Sequence, residues 1–234
     1  MQRRKRIVQI VSDFAAITPD LSVLDIASLE GHYALELGAR GARVLGIEGR
    51  NSNLQKAESE RQRLGFENVR FVHDDVRNLS REKYGEFDCI LCLGILYHLE
   101  AAEAVKLLEQ VYEMCRGFAV IDTHFACLTE EIFHYRGKDY AGRFYTEYEG
   151  LPTPQAQENS NWASIGNTRS FWFTRPSLYN LLEEVGFSSV YVAVVPYIPD
   201  YASERTTLLA IKGQRENLHL APPQQRAPWP EPIR

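Results

Sequence analysis

The 234-residue sequence has no run of 18 or more apolar residues, so it offers no candidate for a membrane-spanning helix. It also has no positive excess: 26 Lys and Arg stand against 31 Asp and Glu, a net charge of −5. A chain of that sign lacks the field that draws in nucleic acid or an anionic membrane, and neither is expected as a partner. The one basic run, "RRKR" at residues 3–6, is expected to be the solvated face of a first helix. Cysteine is scarce. Cys89, Cys92, Cys115 and Cys127 lie mostly in apolar runs, and strand alternation in "FDCILCLG" would turn Cys89 and Cys92 to opposite faces. Buried thiols in a reducing cytoplasm are the expectation. The N-terminal "IVQIVSDFAAI" carries Gln9, Ser12 and Asp13 where a signal peptide would be apolar, and no internal repeat is present.

What is present is an alternation of strand and helix signals. "SVLDI" (22–26), "ARVLGIE" (42–48), "NVRFVHDD" (68–75), "FDCILCLG" (87–94) and "GFAVID" (117–122) read as strands. Between them "GHYALELGAR", "NSNLQKAESERQRLG" and "AAEAVKLLEQVYEMC" read as helices, the last with Val105, Leu108, Val111, Tyr112 and Cys115 on one face. Later, Thr174 and Pro176 open a helix that Gly186 ends. Two final strands, 189–196 and 205–213, are too close in sequence for a crossover and should pair antiparallel. The fold class that follows is α/β: a doubly wound, mostly parallel seven-stranded sheet with an antiparallel edge hairpin and helices on both faces.

The rhythm breaks between residues 125 and 170, a stretch read as long, aromatic and irregular, holding Phe144, Tyr145, Tyr148 and Trp162. So long a segment inside a domain is expected to be functional, here as a lid over the substrate. Its aromatics would equally pack a larger core or a homodimer interface. Residues 1–213 form the expected domain. Residues 214–234, with five prolines in "APPQQRAPWPEPIR", form an extended tail whose Trp229 is free to dock.

In a doubly wound sheet, ligands bind beyond the carboxyl ends of the strands, where strand order reverses. Strand one delivers Asp25 and the turn "ASLEG"; strand two delivers Glu48 and Gly49; strand three Asp74, Asp75 and Val76; strand four Leu93 and Gly94; strand five Asp122, Thr123 and His124. Glu48 suits a pair of ribose hydroxyls, and Asp75 an adenine amino group. Asp25 would repel a pyrophosphate but favour a cation. A ligand with adenosine, no phosphate and a positive charge is S-adenosylmethionine. The turn itself is short of glycine: Ala27, Ser28 and Leu29 precede the single Gly31, and Leu29 is expected to keep an ordinary negative φ.

Together "VLDIASLEGHYALEL", "ARVLGIEGRNSNLQKA", "NVRFVHDDVRNL", "FDCILCLGILYHL" and "FTRPSLYNLLEEVGF" resemble the class I, Rossmann-like S-adenosylmethionine-dependent methyltransferases, over roughly residues 20–124 and 170–212. The resemblance implies that residues 25–31 face the methionine part and ribose. It further implies that Glu48 holds the ribose hydroxyls, Asp75 and Val76 flank adenine, and Leu93 and Gly94 offer backbone to the amino acid end. "GILYHL" and "RSFWFTRPS", through Tyr97, His98, Arg169 and Phe173, are also similar to segments of the tRNA wobble-uridine carboxymethyl-transferring branch. The acidic composition and the lack of that branch's N-terminal extension depart from its pattern, so a small-molecule acceptor is the preferred expectation, with a non-catalytic S-adenosylmethionine-binding relative, suggested by Ala27 and Leu29 in the turn, as the other alternative.

Methyl transfer from a sulfonium is an in-line displacement in which the protein chiefly aligns donor and acceptor. Tyr97, His98 and His124 are the candidate catalytic groups. Trp162 and Trp172 are candidate walls of the acceptor pocket, with Asn167 and Arg169 as polar anchors. Asp122 and His124 lack further ligands at a recognisable spacing, and no metal is expected.

Overall fold

In the computed structural model of the protein, residues 2–160, 162–194 and 204–216 are described. The proline-rich tail with Trp229 and most of the connection between the last two strands fall outside them. The chain runs α1 (Gln2–Phe14), β1 (Ser22–Ile26), α2 (His32–Ala39), β2 (Arg43–Glu48), α3 (Asn51–Leu64), β3 (Val69–His73), α4 (Arg81–Tyr84), β4 (Phe87–Leu93), α5 (Ala101–Met114) and β5 (Cys115–His124). It continues through β6 (Glu131–Tyr135), β7 (Lys138–Thr146), α6 (Pro154–Asn159), β8 (Arg169–Phe173), α7 (Arg175–Val185), β9 (Ser189–Ala193) and β10 (Arg205–Ile211).

Successive residues of the central strands enter different cores. In β1, Val23 packs on one side and Leu24 and Ile26 on the other; in β4, Cys89 and Leu91 part from Ile90 and Cys92 in the same way. Strands buried on both faces need helices above and below. Here α1 and α2 cover one face through Ile7, Val11, Ala34 and Leu37, while α5 and α7 cover the other through Leu108, Val111, Leu178 and Leu182. The strand order is β3-β2-β1-β4-β5-β10-β9. The pairings among the first five are parallel, and β10 runs antiparallel between β5 and β9. The expected α/β architecture is therefore present, with the order reversing between β1 and β4. Of the four cysteines, Cys89, Cys92 and Cys115 are buried and Cys127 is exposed.

The stretch expected to be irregular is instead a second, three-stranded antiparallel sheet, β6-β7-β8. Its first hairpin turns at Arg136 (φ 50°) and Gly137 (φ 75°), both left-handed, as a two-residue hairpin loop requires. Phe171 and Phe173 of β8 carry this sheet into the core beside α5, and Phe171 N–H donates to Leu99 O at 2.9 Å. The next helix starts as expected: Thr174 caps α7 by accepting from Ser177 N–H, and Gly186 ends it at φ 123°. No helix among the described residues is long and apolar enough to cross a membrane.

Gly31 joins β1 to α2 at φ 74°, and a Cβ there would stand 2.4 Å from Phe71 Cζ and 3.1 Å from Ala57 Cβ. Gly31→Ala is expected to lower unfolding stability in urea by roughly 2–4 kcal/mol, adding a left-handed backbone penalty to overpacking. Gly65→Ala, at φ 69° with open space around it, should cost only the backbone part, about 1–2 kcal/mol.

Candidate functional site

A cavity of about 590 Å³ opens where β1, β2 and β4 end. Its floor is the loop after β1, from Ala27 to Glu30. Glu48, Gly49 and Arg50 close one side, Asp75 and Val76 another, and Leu93, Gly94, Tyr97 and His98 the third. Residues Trp162 to Ile165 of the insert roof it. The size is that of a small-molecule site.

The floor is a strained turn. Ala27 (φ 55°) and Leu29 (φ 50°) are both left-handed, which overturns the expectation of an ordinary φ at Leu29. Three hydrogen bonds hold the turn in this shape. Ser28 N–H donates to Ile47 O (2.9 Å), Leu29 N–H to Glu48 Oε2 (2.7 Å), and Gly31 N–H to Ser28 O (2.9 Å). Each non-glycine residue held there costs about 1–2 kcal/mol. Leu29 stands on the cavity wall, 36% exposed.

Glu48 is buried, and its Oε1 accepts Arg50 N–H at 2.8 Å. Asp25 is buried too. Burial pushes its carboxyl up to about 7 against a backbone bond from Ala34, and the charge of Glu48 adds to the rise. Asp25 Oδ2 and Ser28 Oγ, both on cavity-lining residues, have no hydrogen-bond partner among the described residues. Of the paired acids after β3, Asp75 faces the cavity. Burial raises its pKa, but the bonds from Arg77 outweigh this and hold it low. Asp74 is turned to Asn78, Lys83 and Tyr84, whose bonds overcome its burial and hold it well below the usual carboxylate range.

Tyr97 and His98 occupy a short 3₁₀ turn, Leu96–His98, after β4, and both line the cavity. His124 and Trp172 stand behind Tyr97 rather than on the wall. The His124 ring meets Tyr97 edge-on at 4.6 Å and stacks on Trp172 at 4.8 Å, while Trp172 Nε1 donates to Tyr97 O at 3.1 Å. Burial, reinforced by the Arg205 charge, lowers His124 to about 4, so it is neutral at pH 7. Asn167 is buried beneath the roof, bonded to the Ser164 hydroxyl and to Arg169 O. Arg169 is exposed, its guanidinium 3.7 Å from the centre of the Phe144 ring, away from the cavity. Trp162 is on the roof, 81% exposed.

Three arginines and one carboxylate at the site went unread in the sequence. Asp122, buried, takes Arg3, Arg205 Nε (2.6 Å) and Thr207 Oγ1 (2.6 Å). Arg3 thus turns inward from a run expected to be wholly solvated. Arg50 latches the roof, donating from Nε to Gln157 O (3.0 Å) and from Nη2 to Ala163 O, while Ser52 N–H donates to Glu158 (2.8 Å). Glu147, buried, contacts His98. These partners lie 49 to 119 residues apart, beyond any local pattern. Among the described residues no group of three His, Cys, Asp or Glu is placed to hold a metal ion.

A cavity at the β1–β4 reversal of a doubly wound sheet, with an acid closing β2, defines a Rossmann-like nucleoside-binding domain. Residues 23–117 match the family model for a methyltransferase domain. The N-terminal domain of EvdMO1, solved with SAH bound, is similar at a TM-score of 0.69 and 26% identity, over 91% of this chain and 81% of that one. The 23S rRNA (uracil(1939)-C(5))-methyltransferase RlmD of Shewanella sediminis (strain HAW-EB3) is 30% identical over 109 residues, 44% of this chain and 25% of that protein. The glycine/sarcosine/dimethylglycine N-methyltransferase of Actinopolyspora halophila is 29% identical over 131 residues, 50% of this chain and 23% of that protein. The match thus spans about a quarter of the length of these curated relatives. Residues 23–117 thus lie in a methyltransferase domain, and the fold around them is that of the class I, Rossmann-like S-adenosylmethionine-dependent methyltransferases.

Two outcomes follow for the site. Asp25 has a higher pKa folded than unfolded, so the unfolded chain releases its proton first. Its contribution to stability therefore falls as pH rises from about 4 to about 7 and then levels. Asp25→Asn should raise the melting temperature at pH 8 and change it little at pH 4, a difference of a few kcal/mol. Arg50→Ala removes the bonds to the roof. It should speed dissociation of SAH in stopped-flow measurements by roughly tenfold, about 1–2 kcal/mol, with little change in melting temperature of the free protein.

Proposed function

We propose that the domain transfers the methyl group of S-adenosylmethionine to a small-molecule acceptor inside the roofed cavity, with residues 125–170 selecting the acceptor. The observation that carries this is the enclosure itself: a cavity of about 590 Å³ bounded by the ends of three parallel strands and closed by Trp162 to Ile165. The insert lies beyond the stretch 23–117 that matches the methyltransferase-domain model, so in this reading acceptor choice falls to a part of the chain outside that match.

The cavity fits the cofactor at two buried, unpartnered polar atoms. Asp25 Oδ2 suits a cationic group, and Ser28 Oγ a polar one. In this reading Glu48 keeps one lone pair on each oxygen for the ribose hydroxyls, beyond those already given to Leu29 and Arg50. Asp75 and Val76 flank adenine, and Gly49 packs under the roof, where a Cβ would stand 2.7 Å from Ile165 Cδ1. Leu93 and Gly94 offer backbone to the amino acid end, with Ala27 to Gly31 beneath. Bound, the cofactor supplies an activated methyl group. Tyr97 and His98 face the acceptor, and Trp162 covers it. His124, Trp172 and Asn167 act one layer back, fixing Tyr97 and the roof, and Arg169 takes no part.

Titration calorimetry tests this. SAH should bind the wild-type protein, and Glu48→Gln should weaken it by about 1–3 kcal/mol, the scale of one charge-assisted contact. No heat at millimolar SAH would sink the methyltransferase reading. Unchanged affinity in Glu48→Gln would remove Glu48 from the ribose.

A further inference from the structure

Glu147 lies just past β7, in the insert, with its side chain 1% exposed. Its two carboxylate oxygens stand 2.9 and 3.1 Å from His98 Nδ1, and Oε2 also accepts Ser164 N–H at 3.0 Å. The backbone N–H of Glu147 donates to Thr168 O at 2.8 Å, which fixes the residue independently of His98. The insert is already joined to the main domain through Phe171 N–H to Leu99 O and Ala126 N–H to Phe173 O, so it does not need the His98–Glu147 contact as an anchor.

A carboxylate only accepts, so Nδ1 must carry the proton that bridges the two groups. The Nε2 nitrogen of a neutral His98 is then the one with a lone pair. It has no hydrogen bond to another described residue, and His98 lines the cavity beside Tyr97.

We infer that His98 is a general base positioned by Glu147, and that the acceptor is a hydroxyl compound. The inference rests on the methyltransferase reading above. Thiols and neutral amines attack a sulfonium with little assistance, whereas a hydroxyl at neutral pH keeps its proton until it attacks. In the step, the acceptor oxygen forms a bond to the methyl carbon and gives its proton to His98 Nε2. The sulfur–methyl bond breaks and its electron pair stays on sulfur. The positive charge lost there reappears as imidazolium beside the Glu147 carboxylate, and His98 then returns the proton to water.

Two measurements test the assignment. The first needs no acceptor: ¹⁵N NMR of histidine-labelled protein, with SAH or free, should show His98 protonated on Nδ1 and bare at Nε2. Glu147→Gln, whose amide oxygen still accepts from Nδ1, should keep that tautomer, and Glu147→Ala should lose it. A proton on Nε2 in the wild type overturns the dyad, whether or not SAH binds. The second uses tritiated S-adenosylmethionine with a panel of sugar and aryl hydroxyl, amine and thiol compounds. The label should appear on oxygen, and a product labelled on nitrogen, sulfur or carbon overturns the hydroxyl class. With the labelled acceptor, His98→Asn should lower kcat about 100-fold or more, and Glu147→Gln at least about tenfold, with KM within twofold. Equal loss in KM and none in kcat would leave Glu147 structural and overturn its role.

Discussion

The site depends on one buried carboxylate. Glu48 closes β2, and with its two oxygens it takes Leu29 N–H from the loop after β1 and Arg50 N–H from the start of α3. Two consequences follow. The loop is held in a left-handed shape that its own residues do not favour, and the Arg50 backbone is fixed so that its guanidinium reaches the roof. Floor and roof are thus referred to the same side chain. A buried carboxylate that accepts backbone donors meets its desolvation cost locally, which is why an acid can close a strand in the interior.

Charge is distributed unevenly around the cavity. Asp25 is deep and has no ion-pair partner among the described residues, and burial pushes its carboxyl up to about 7. Asp122 sits two strands over, on β5, with Arg3 and Arg205 both upon it, so two cations share one anion. His124, close to Arg205, stays neutral and packs between rings as an aromatic. The layer of Tyr97, His124, Trp172 and Tyr145 is a stack backed by Arg143 over Trp172. Such aromatic packing keeps Tyr97 and His98 in fixed orientations at the cavity wall, where alignment is most of what a transferase contributes.

The sheet was legible in the sequence because its strands are buried on both faces and its helices on one, so the periods differ cleanly. The β6–β7 hairpin was not. Its strands, "EIFHY" and "KDYAGRFYT", place aromatic and polar residues on both faces, which blurs a period of two. Its turn is Arg136-Gly137 where Asn-Gly is the familiar signal. The alternating Phe133, Tyr135 and Tyr140 around a lone glycine was the available clue. At the site, residues delivered by strand ends were readable, because topology alone puts Asp25, Glu48, Asp75 and Gly94 around one hollow. Arg3, Arg50, Glu147 and Arg205 were not, since each matters through a partner far away in sequence. Leu29 was misread for a related reason: φ preference is local, while the bond from Glu48 that overrides it is not.

The insert enters and leaves the main domain at nearly one point. Ala126 and Thr174 form a parallel bridge, and Ala126 N–H donates to Phe173 O at 2.8 Å. The 47 intervening residues therefore make a closed excursion whose ends are fixed a strand spacing apart by the parent fold. Closing such an excursion costs little more as it lengthens. The architecture is that of a socket and a cassette: the parallel sheet can remain constant through descent while the segment plugged into it is lengthened, shortened or exchanged.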